Sequence, residues 1–239
     1  MLKSSNYEKF SIIMKKIRHD PDRTYFTSDT HYNHASIVLG ATQWTEIPYI
    51  YEKWPSEELR HKFSMEKGLR DFASVEEMNE TLVNGINQVV GAEDTLFCLG
   101  DWSFGGIESI KCFRDKIICK NIHLVLGNHD HHIEDSEKGL QKLFASVSSY
   151  KEIRVAKQRI VLSHYAHRMW NGSHFGAWHL YGHSHSNLEV RPHGKSMDVG
   201  VDNAYKLLGE YRPFSFREIF SFLDLREILY LDHHREDRY

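Results

Sequence analysis

Short apolar segments alternate with amphipathic segments through the first half of the chain. Apolar residues with β-branched members predict buried strands at residues 24–28, 94–99 and 121–126. Between them, apolar side chains recur at helical spacing after Ser74 and again over residues 107–117. Strands that alternate with helices are typical of parallel βαβ units. We therefore predict a parallel sheet in this half.

The second half of the chain has a different pattern, in which one β-rich segment follows another. We predict strands at residues 146–150, 152–156, 159–163, 177–181, 188–191 and 195–201. Further helices are predicted at residues 6–19, 136–144 and 214–223. We expect a single domain over residues 1–239, with an N-terminal helix within 1–20, an aromatic-rich insertion at 41–72 that holds a helix near 56–67, and a solvated tail at 224–239.

Composition excludes several classes of protein. A net charge of -3 argues against a protein that coats long nucleic acid. The sequence contains no apolar run of membrane-spanning length, and its first residues do not resemble a signal peptide. Cys98, Cys112 and Cys119 form no CxxC pair, so we interpret them as buried thiols in a reducing cytoplasm. We expect a cytoplasmic protein without a membrane partner.

Short polar motifs follow the predicted strands. Asp29-Thr30-His31, Gly100-Asp101 and Gly127-Asn128-His129-Asp130 end three strands of the first half, and His164 and His183-Ser184-His185 end two later ones. Residues two apart on extended chain point the same way, so Asp29 and His31 can converge, as can His183 and His185. Each motif alone is explained as a polar turn, but the repetition of such motifs predicts a ligand site at the strand ends. We interpret His123, His131, His132 and His179 as core or surface histidines.

The strand-end residues form a mixed set of oxygen and nitrogen donors: Asp29, His31, Asp101, Asn128, His164, His183 and His185. Such donors suit manganese, iron, zinc, cobalt or nickel. Seven ligands are too many for one ion but fit two ions that share Asp101. Two metals can hold a hydroxide between them and bind the oxygens of a phosphoryl group. His129 is then placed to protonate the departing oxygen, with Asp130 fixing its tautomer and orientation.

These motifs, in this order, resemble the series of the calcineurin-like metallophosphoesterases, from about residue 24 to residue 203. The block from Leu162 to Asp202 is similar to the small stand-alone phosphoesterases of bacteria and phages. The resemblance implies an α/β (α+β) fold, a two-sheet β-sandwich flanked by helices. It also implies that one ion binds Asp29, His31, Asp101 and His185, while the second binds Asp101, Asn128, His164 and His183. We expect both ions to be manganese, with iron, zinc, nickel and cobalt as the alternatives. His129 would be the catalytic acid, and Asn33 stands where many relatives carry glycine before His34.

The leading hypothesis is therefore a two-metal phosphodiesterase or phosphatase for a small substrate, which includes nucleotide-like esters. The alternatives are a nuclease that acts on DNA or RNA ends, and an inactive scaffold that binds proteins. His34, Asn33 and Arg168 are candidates for binding the substrate, although a structural role explains each equally well. Residues 41–72 form either a satellite core of packed rings or a lid whose rings stack on a base. The sequence predicts no oligomeric state.

Overall fold

The computed structural model describes residues 18–38, 70 and 72–230. Within them lie ten strands: β1 (Arg18–His19), β2 (Thr24–Thr27), β3 (Thr95–Cys98), β4 (Asn121–Val125), β5 (Ser146–Ser148), β6 (Tyr150–Val155), β7 (Gln158–Ser163), β8 (Trp178–Tyr181), β9 (Ser196–Asp198) and β10 (Phe214–Ser215). The α-helices of the described residues are α1 (Ala35–Val38), α2 (Val75–Val89), α3 (Gly106–Lys116), α4 (His131–Glu134), α5 (Val201–Leu208) and α6 (Phe216–Asp224).

The strands form two five-stranded sheets. One has the order β10-β2-β3-β4-β5, in which β10 alone is antiparallel to its neighbour. The other has the order β1-β6-β7-β8-β9, in which β6 and β7 are antiparallel and the remaining pairs are parallel. The β2–β3–β4 order confirms the predicted parallel sheet.

The main core lies between the two sheets, because one buried cluster joins Phe97 and Val125 of the first sheet to Ile160 and Leu180 of the second. A second cluster covers the other face of the first sheet, where Leu96 packs with residues of α2 and α3. Burial of these side chains is the main stabilising contribution, at about 25 cal/mol per Å² of apolar surface. The arrangement confirms the predicted two sheets flanked by helices.

Parallel pairing brings the carboxyl ends of β2, β3 and β4 to one edge of the first sheet. The pairing continues beyond the strands, since Asp29 N–H donates to the Gly100 carbonyl at 3.0 Å and His31 N–H to the Asp101 carbonyl at 2.9 Å. In the second sheet, β7 and β8 run parallel and end at Ser163 and Tyr181. The loops that follow these five strands therefore carry the polar motifs described from the sequence.

Several local predictions were wrong. Residues 188–191 form a turn of 3₁₀-helix (Asn187–Val190) rather than a strand, because Glu189 accepts hydrogen bonds from Tyr181 and from the Asp198 N–H and draws the chain inward. Residues 136–144 form two short 3₁₀ turns, Ser136–Lys138 and Leu140–Leu143, and residues 201–208 form the unpredicted helix α5. Cys112 is exposed, not buried.

The ends of the chain differ from expectation where they are described. Residues 18–19 form strand β1 rather than the end of a helix. Arg226, in the predicted solvated tail, pairs with Glu189 at 2.7 Å and is only partly exposed. Of the predicted N-terminal segment (1–20), insertion (41–72) and tail (224–239), the structure describes residues 18–20, 70, 72 and 224–230, and the rest of these three segments lies outside the described residues. Among the helices described, none is long and apolar enough to cross a membrane.

Candidate metal centre

The strand-end loops bring the seven candidate ligands to one place. Asp29, His31 and His185 form one triad, and Asp101, His164 and His183 form another, with the ligand atoms of each triad within 4.8 Å of one another. Asn128 joins the second triad, because its Oδ1 lies 2.9 Å from His164 Nε2. We call these groups the first and second triads.

Asp101 belongs to the second triad and also faces the first. Its Oδ2 is 3.4 Å from His31 Nε2 in the first triad and 3.6 Å from His164 Nε2 in the second. Its Oδ1 accepts the His129 N–H at 2.9 Å, which holds the carboxylate in place. One carboxylate thus faces both groups of donors, as the sequence predicted for a shared ligand.

The backbone at the triads is strained. Asp29, His31, Asp101, His183 and His185 have φ values of 53°, 47°, 55°, 63° and 45°. Left-handed backbone costs of the order of 1–3 kcal/mol for a residue other than glycine, and such residues concentrate at ligand sites. Five strained residues in one cluster indicate that the loops are folded to aim side chains, at a cost that the surrounding sheets offset.

Two glycines allow the loops to approach each other closely. A Cβ on Gly182 would overlap Ser28 Oγ and a carboxylate oxygen of Asp29, and a Cβ on Gly127 would overlap the Asp101 carboxylate. The carboxylates of both triads therefore sit directly against backbone that no larger residue can replace.

Gly182→Ala is expected to displace Asp29 and to lower the phosphoesterase activity that the resemblance implies by about 10²-fold, because a shift of about 1 Å in a reacting group has an effect of this size. Overpacking should also lower the free energy of unfolding by about 1–3 kcal/mol. Gly91→Ala is the control, since its Cβ would come no closer than 3.2 Å to Asp94, at the other end of the strands. Kinetics and thermal unfolding of both variants test this, and unchanged kinetics in Gly182→Ala would show that the contact is not needed.

Burial makes the first triad unfavourable without a cation. Burial raises the pKa of Asp29 to about 7 and lowers the pKa of His31 well below its usual value. The His31 Nε2 atom is buried and has no hydrogen-bond partner among the described residues, although it faces the carboxylates of Asp29 and Asp101. A buried imidazole nitrogen that has no hydrogen bond and faces two carboxylates completes a donor set that a divalent ion accepts, so the residues fit a metal.

Hydrogen bonds behind the ligands orient their rings. The Nδ1 of His164 lies 2.7 Å from the Leu99 carbonyl, and the Nδ1 of His185 lies 2.7 Å from Asp202 Oδ2. Each ring then presents Nε2 to its triad, as is usual for metal-binding histidines. Burial opposes the charged form of His185, but the hydrogen bond to Asp202 raises its pKa, which indicates a strong contact.

The described hydrogen bonds of Asp130 lead to the backbone rather than to the His129 ring, the predicted partner. Its buried carboxylate accepts hydrogen bonds from the N–H groups of Asp101, Trp102 and Gly127 at 2.9–3.0 Å, so it braces the two ligand loops instead of the His129 ring. Neighbours in sequence need not share contacts. Beyond β4 the chain passes into α4, and the Asp130 carboxylate reaches the backbone of the loop after β3.

His129 instead packs on an aromatic ring that the sequence analysis missed. Its ring centroid lies 4.7 Å from that of Phe104 and 5.6 Å from that of His31. Phe104 also stacks on His34 at 3.6 Å, and His34 Nδ1 lies 3.2 Å from His31 Nδ1. His129 and His34 are therefore both beside the first triad, and His129 is exposed.

The other two predicted binding residues lie farther out. Asn33 is exposed and its N–H donates to Asn79 Oδ1 at 2.7 Å. Arg168 is exposed, and its carbonyl oxygen lies 2.9 Å from His193 Nε2. Neither contact brings the side chain to a triad, so their roles stay predictions.

Sequence reasoning also missed groups that hold the site from behind. Arg70 is fully buried and pairs with Asp202, which in turn holds His185. Asp198 accepts hydrogen bonds from Ser184 and from the Ser186 N–H, on either side of His185. No local signal marks Arg70, because its partner lies 132 residues away.

Comparison with known proteins agrees with this geometry. The chain matches the calcineurin-like phosphoesterase family over residues 23–213. It is 25% identical over 214 residues to an uncharacterised protein of Methanocaldococcus jannaschii, a match that covers 87% of this chain and 94% of that protein. It is 31% identical over 172 residues to the Gene 66 protein of Mycobacterium phage L5, which covers 59% of this chain and 81% of that protein.

The fold has a counterpart among solved structures. A protein of unknown function from Aquifex aeolicus matches with a TM-score of 0.53 and 23% identity, over 83% of this chain and 98% of that one. Members of the matched family bind divalent metals, and both triads are made of donors that such metals accept. Both triads are complete among the described residues, and His129 lies beside the first, which favours an active enzyme over an inactive scaffold. The chain belongs to the calcineurin-like phosphoesterases and is a metal-dependent phosphoester hydrolase.

Proposed function

We propose that the chain hydrolyses small phosphoesters, including nucleotide-like ones, with two divalent ions, manganese being the expected metal. The observation that carries this proposal is the position of Asp101, whose carboxylate faces His31 of the first triad and His164 of the second. One ion would be held by Asp29, His31, Asp101 and His185, and the other by Asp101, Asn128, His164 and His183. When bound, two such ions supply an activated water and positive charge for the phosphoryl oxygens.

Side chains of the protein set the direction of substrate approach and supply the proton. Asn128, His129 and His183 are exposed while Asp29 and Asp101 are buried, so a substrate approaches from the side of the three exposed residues. His129 donates a proton to the departing oxygen, and Phe104 behind it restricts its ring. This direction of approach leaves the backbone of β2 and β3 as the closed floor of the site.

Side chains around the opening would bind the non-reacting part of the substrate. Tyr165 is 51% exposed, and its hydroxyl lies 3.5 Å from Asn128 Oδ1, next to the second triad. An exposed ring in that position suits a base or an aryl leaving group. His34, Asn33 and Arg168 remain proposed contacts for the non-bridging phosphate oxygens. We also propose a cytoplasmic location, which the free thiols of the three cysteines support.

The substrate class is tested by removing metal from the protein and restoring Mn²⁺, Ni²⁺, Zn²⁺ or Mg²⁺ separately. Each form is assayed with a phosphomonoester, a phosphodiester and a cyclic nucleotide. We expect hydrolysis that depends on the metal, is highest with Mn²⁺ and changes little with salt. A salt-sensitive activity confined to DNA or RNA ends would replace the small substrate with a nuclease function, and an absence of hydrolysis with every metal would contradict the proposal.

A further inference from the structure

A buried arginine lies directly behind the first triad. Arg70 forms a two-point ion pair with Asp202, with Nε to Oδ1 at 2.8 Å and Nη2 to Oδ2 at 2.9 Å. Its Nη1 donates to the Thr30 carbonyl at 2.8 Å, and its Nη2 also donates to the Asp29 carbonyl. A single guanidinium thus contacts the loop after β2 and the first turn of α5.

Both contacts lead to metal-binding side chains. Asp202 Oδ2 lies 2.7 Å from His185 Nδ1, so the ion pair sets the position of the carboxylate that orients His185. The two carbonyls belong to the backbone that carries Asp29 and leads to His31, both at positive φ. Arg70 therefore contacts the supports of all three members of the first triad. The second triad is held differently, since His164 Nδ1 lies 2.7 Å from the Leu99 carbonyl.

The geometry requires an arginine side chain, and another cationic side chain would not replace it. Five N–H groups in a planar fork can serve a carboxylate and two carbonyls together, whereas a lysine ammonium is a point charge with three donors. Burying an ion pair this fully is not by itself a stabilising choice, since apolar residues of similar volume often stabilise a core more. The pair is better explained by the orientation that it imposes on Asp202 and, through Asp202, on His185.

We propose that Arg70 is a positioning residue of the metal centre, which fixes Asp29 and the Asp202–His185 pair so that the first triad binds its ion. The inference rests on the proposed two-metal function for its meaning, but its test is metal binding and not turnover. It also places Arg70, near the end of the insertion predicted at residues 41–72, in the wall of the site.

The test compares Arg70→Lys with Arg212→Lys in the full-length chain. Arg212 is a matched control, since it forms a two-point pair with Glu218 at 2.8 and 3.2 Å, away from the triads. Mn²⁺ binding to the metal-stripped proteins is measured by calorimetry. We expect wild type and Arg212→Lys to bind two ions, and Arg70→Lys to bind one ion as before and the other about 10–100-fold more weakly, the usual effect of losing a group that orients a ligand.

A second variant covers the case in which Arg70→Lys does not fold. Arg70→Met combined with Asp202→Leu replaces the ion pair with apolar side chains of similar size, which cores often tolerate. We expect the double variant to unfold cooperatively. It should bind one ion as wild type does and the other ion weakly. Two wild-type affinities in either variant, or equal weakening of both ions, would overturn the inference. Wild type that binds two ions but hydrolyses no ester would refute the proposed function and leave this inference standing.

Discussion

Asp101→Ala is expected to weaken both metal ions at once and to lower hydrolysis by at least about 10³-fold. The reason is that the Asp101 carboxylate faces His31 of the first triad and His164 of the second, so its loss would remove the ligand that the two ions are proposed to share. Charge stabilisation by a metal contributes several kcal/mol to a transition state, and each 1.36 kcal/mol is a factor of ten in rate. Metal analysis after dialysis against limiting Mn²⁺, together with steady-state kinetics, measures both effects.

The control is Asp115→Ala, which removes an exposed carboxylate from α3. It should keep both metals and full activity. Asp101→Asn is measured beside Asp101→Ala, because the amide keeps the volume of the side chain and can still accept the His129 N–H. If either Asp101 variant loses one ion and keeps the other at wild-type affinity, Asp101 does not bridge.

His129→Ala is expected to keep both metals and to lose about 10²–10⁴ in turnover, the usual contribution of a general acid. His129 packs on Phe104 at the exposed side of the first triad. Its backbone N–H, and not its ring, donates the hydrogen bond that holds the Asp101 carboxylate. The side chain can therefore be removed without removing a ligand. The loss should be largest for esters with poor leaving groups, because a good leaving group departs without a proton.

A matched control for this variant is His131→Ala, which removes an exposed histidine two residues further along the chain whose ring packs on His132. Its kinetics should equal those of wild type on every ester. The measurement is kcat for a series of aryl phosphates of increasing leaving-group pKa. Equal rates for His129→Ala and wild type on the poorest leaving group would rule out the acid role.

Much of the site was predictable because its signals are local. A short apolar run that ends at Gly100-Asp101 or Gly127-Asn128 shows both a strand and the donors that follow it. Parallel strands then bring those donors to one edge whatever the loop lengths are. This is why the fold and the clustering of the triads followed from the sequence.

The parts that failed depend on contacts between distant residues. Arg70 and Asp202 are 132 residues apart, and no periodicity links them. Asp130 was assigned to its neighbour His129, but the folded backbone turns its carboxylate towards Asp101 and Trp102. Residues 188–191 have the composition of a strand, yet the hydrogen bonds of Glu189 to β8 and β9 favour a turn. Tertiary contacts decide each of these cases.

Two ions are expected to share Asp101 at the ends of the strands. The most direct measurement is anomalous diffraction from crystals soaked in Mn²⁺. We expect two separate anomalous peaks, one between Asp29, His31 and His185 and one between Asn128, His164 and His183, with the Asp101 carboxylate in contact with both. A single peak, or two peaks of which only one touches Asp101, would contradict the account.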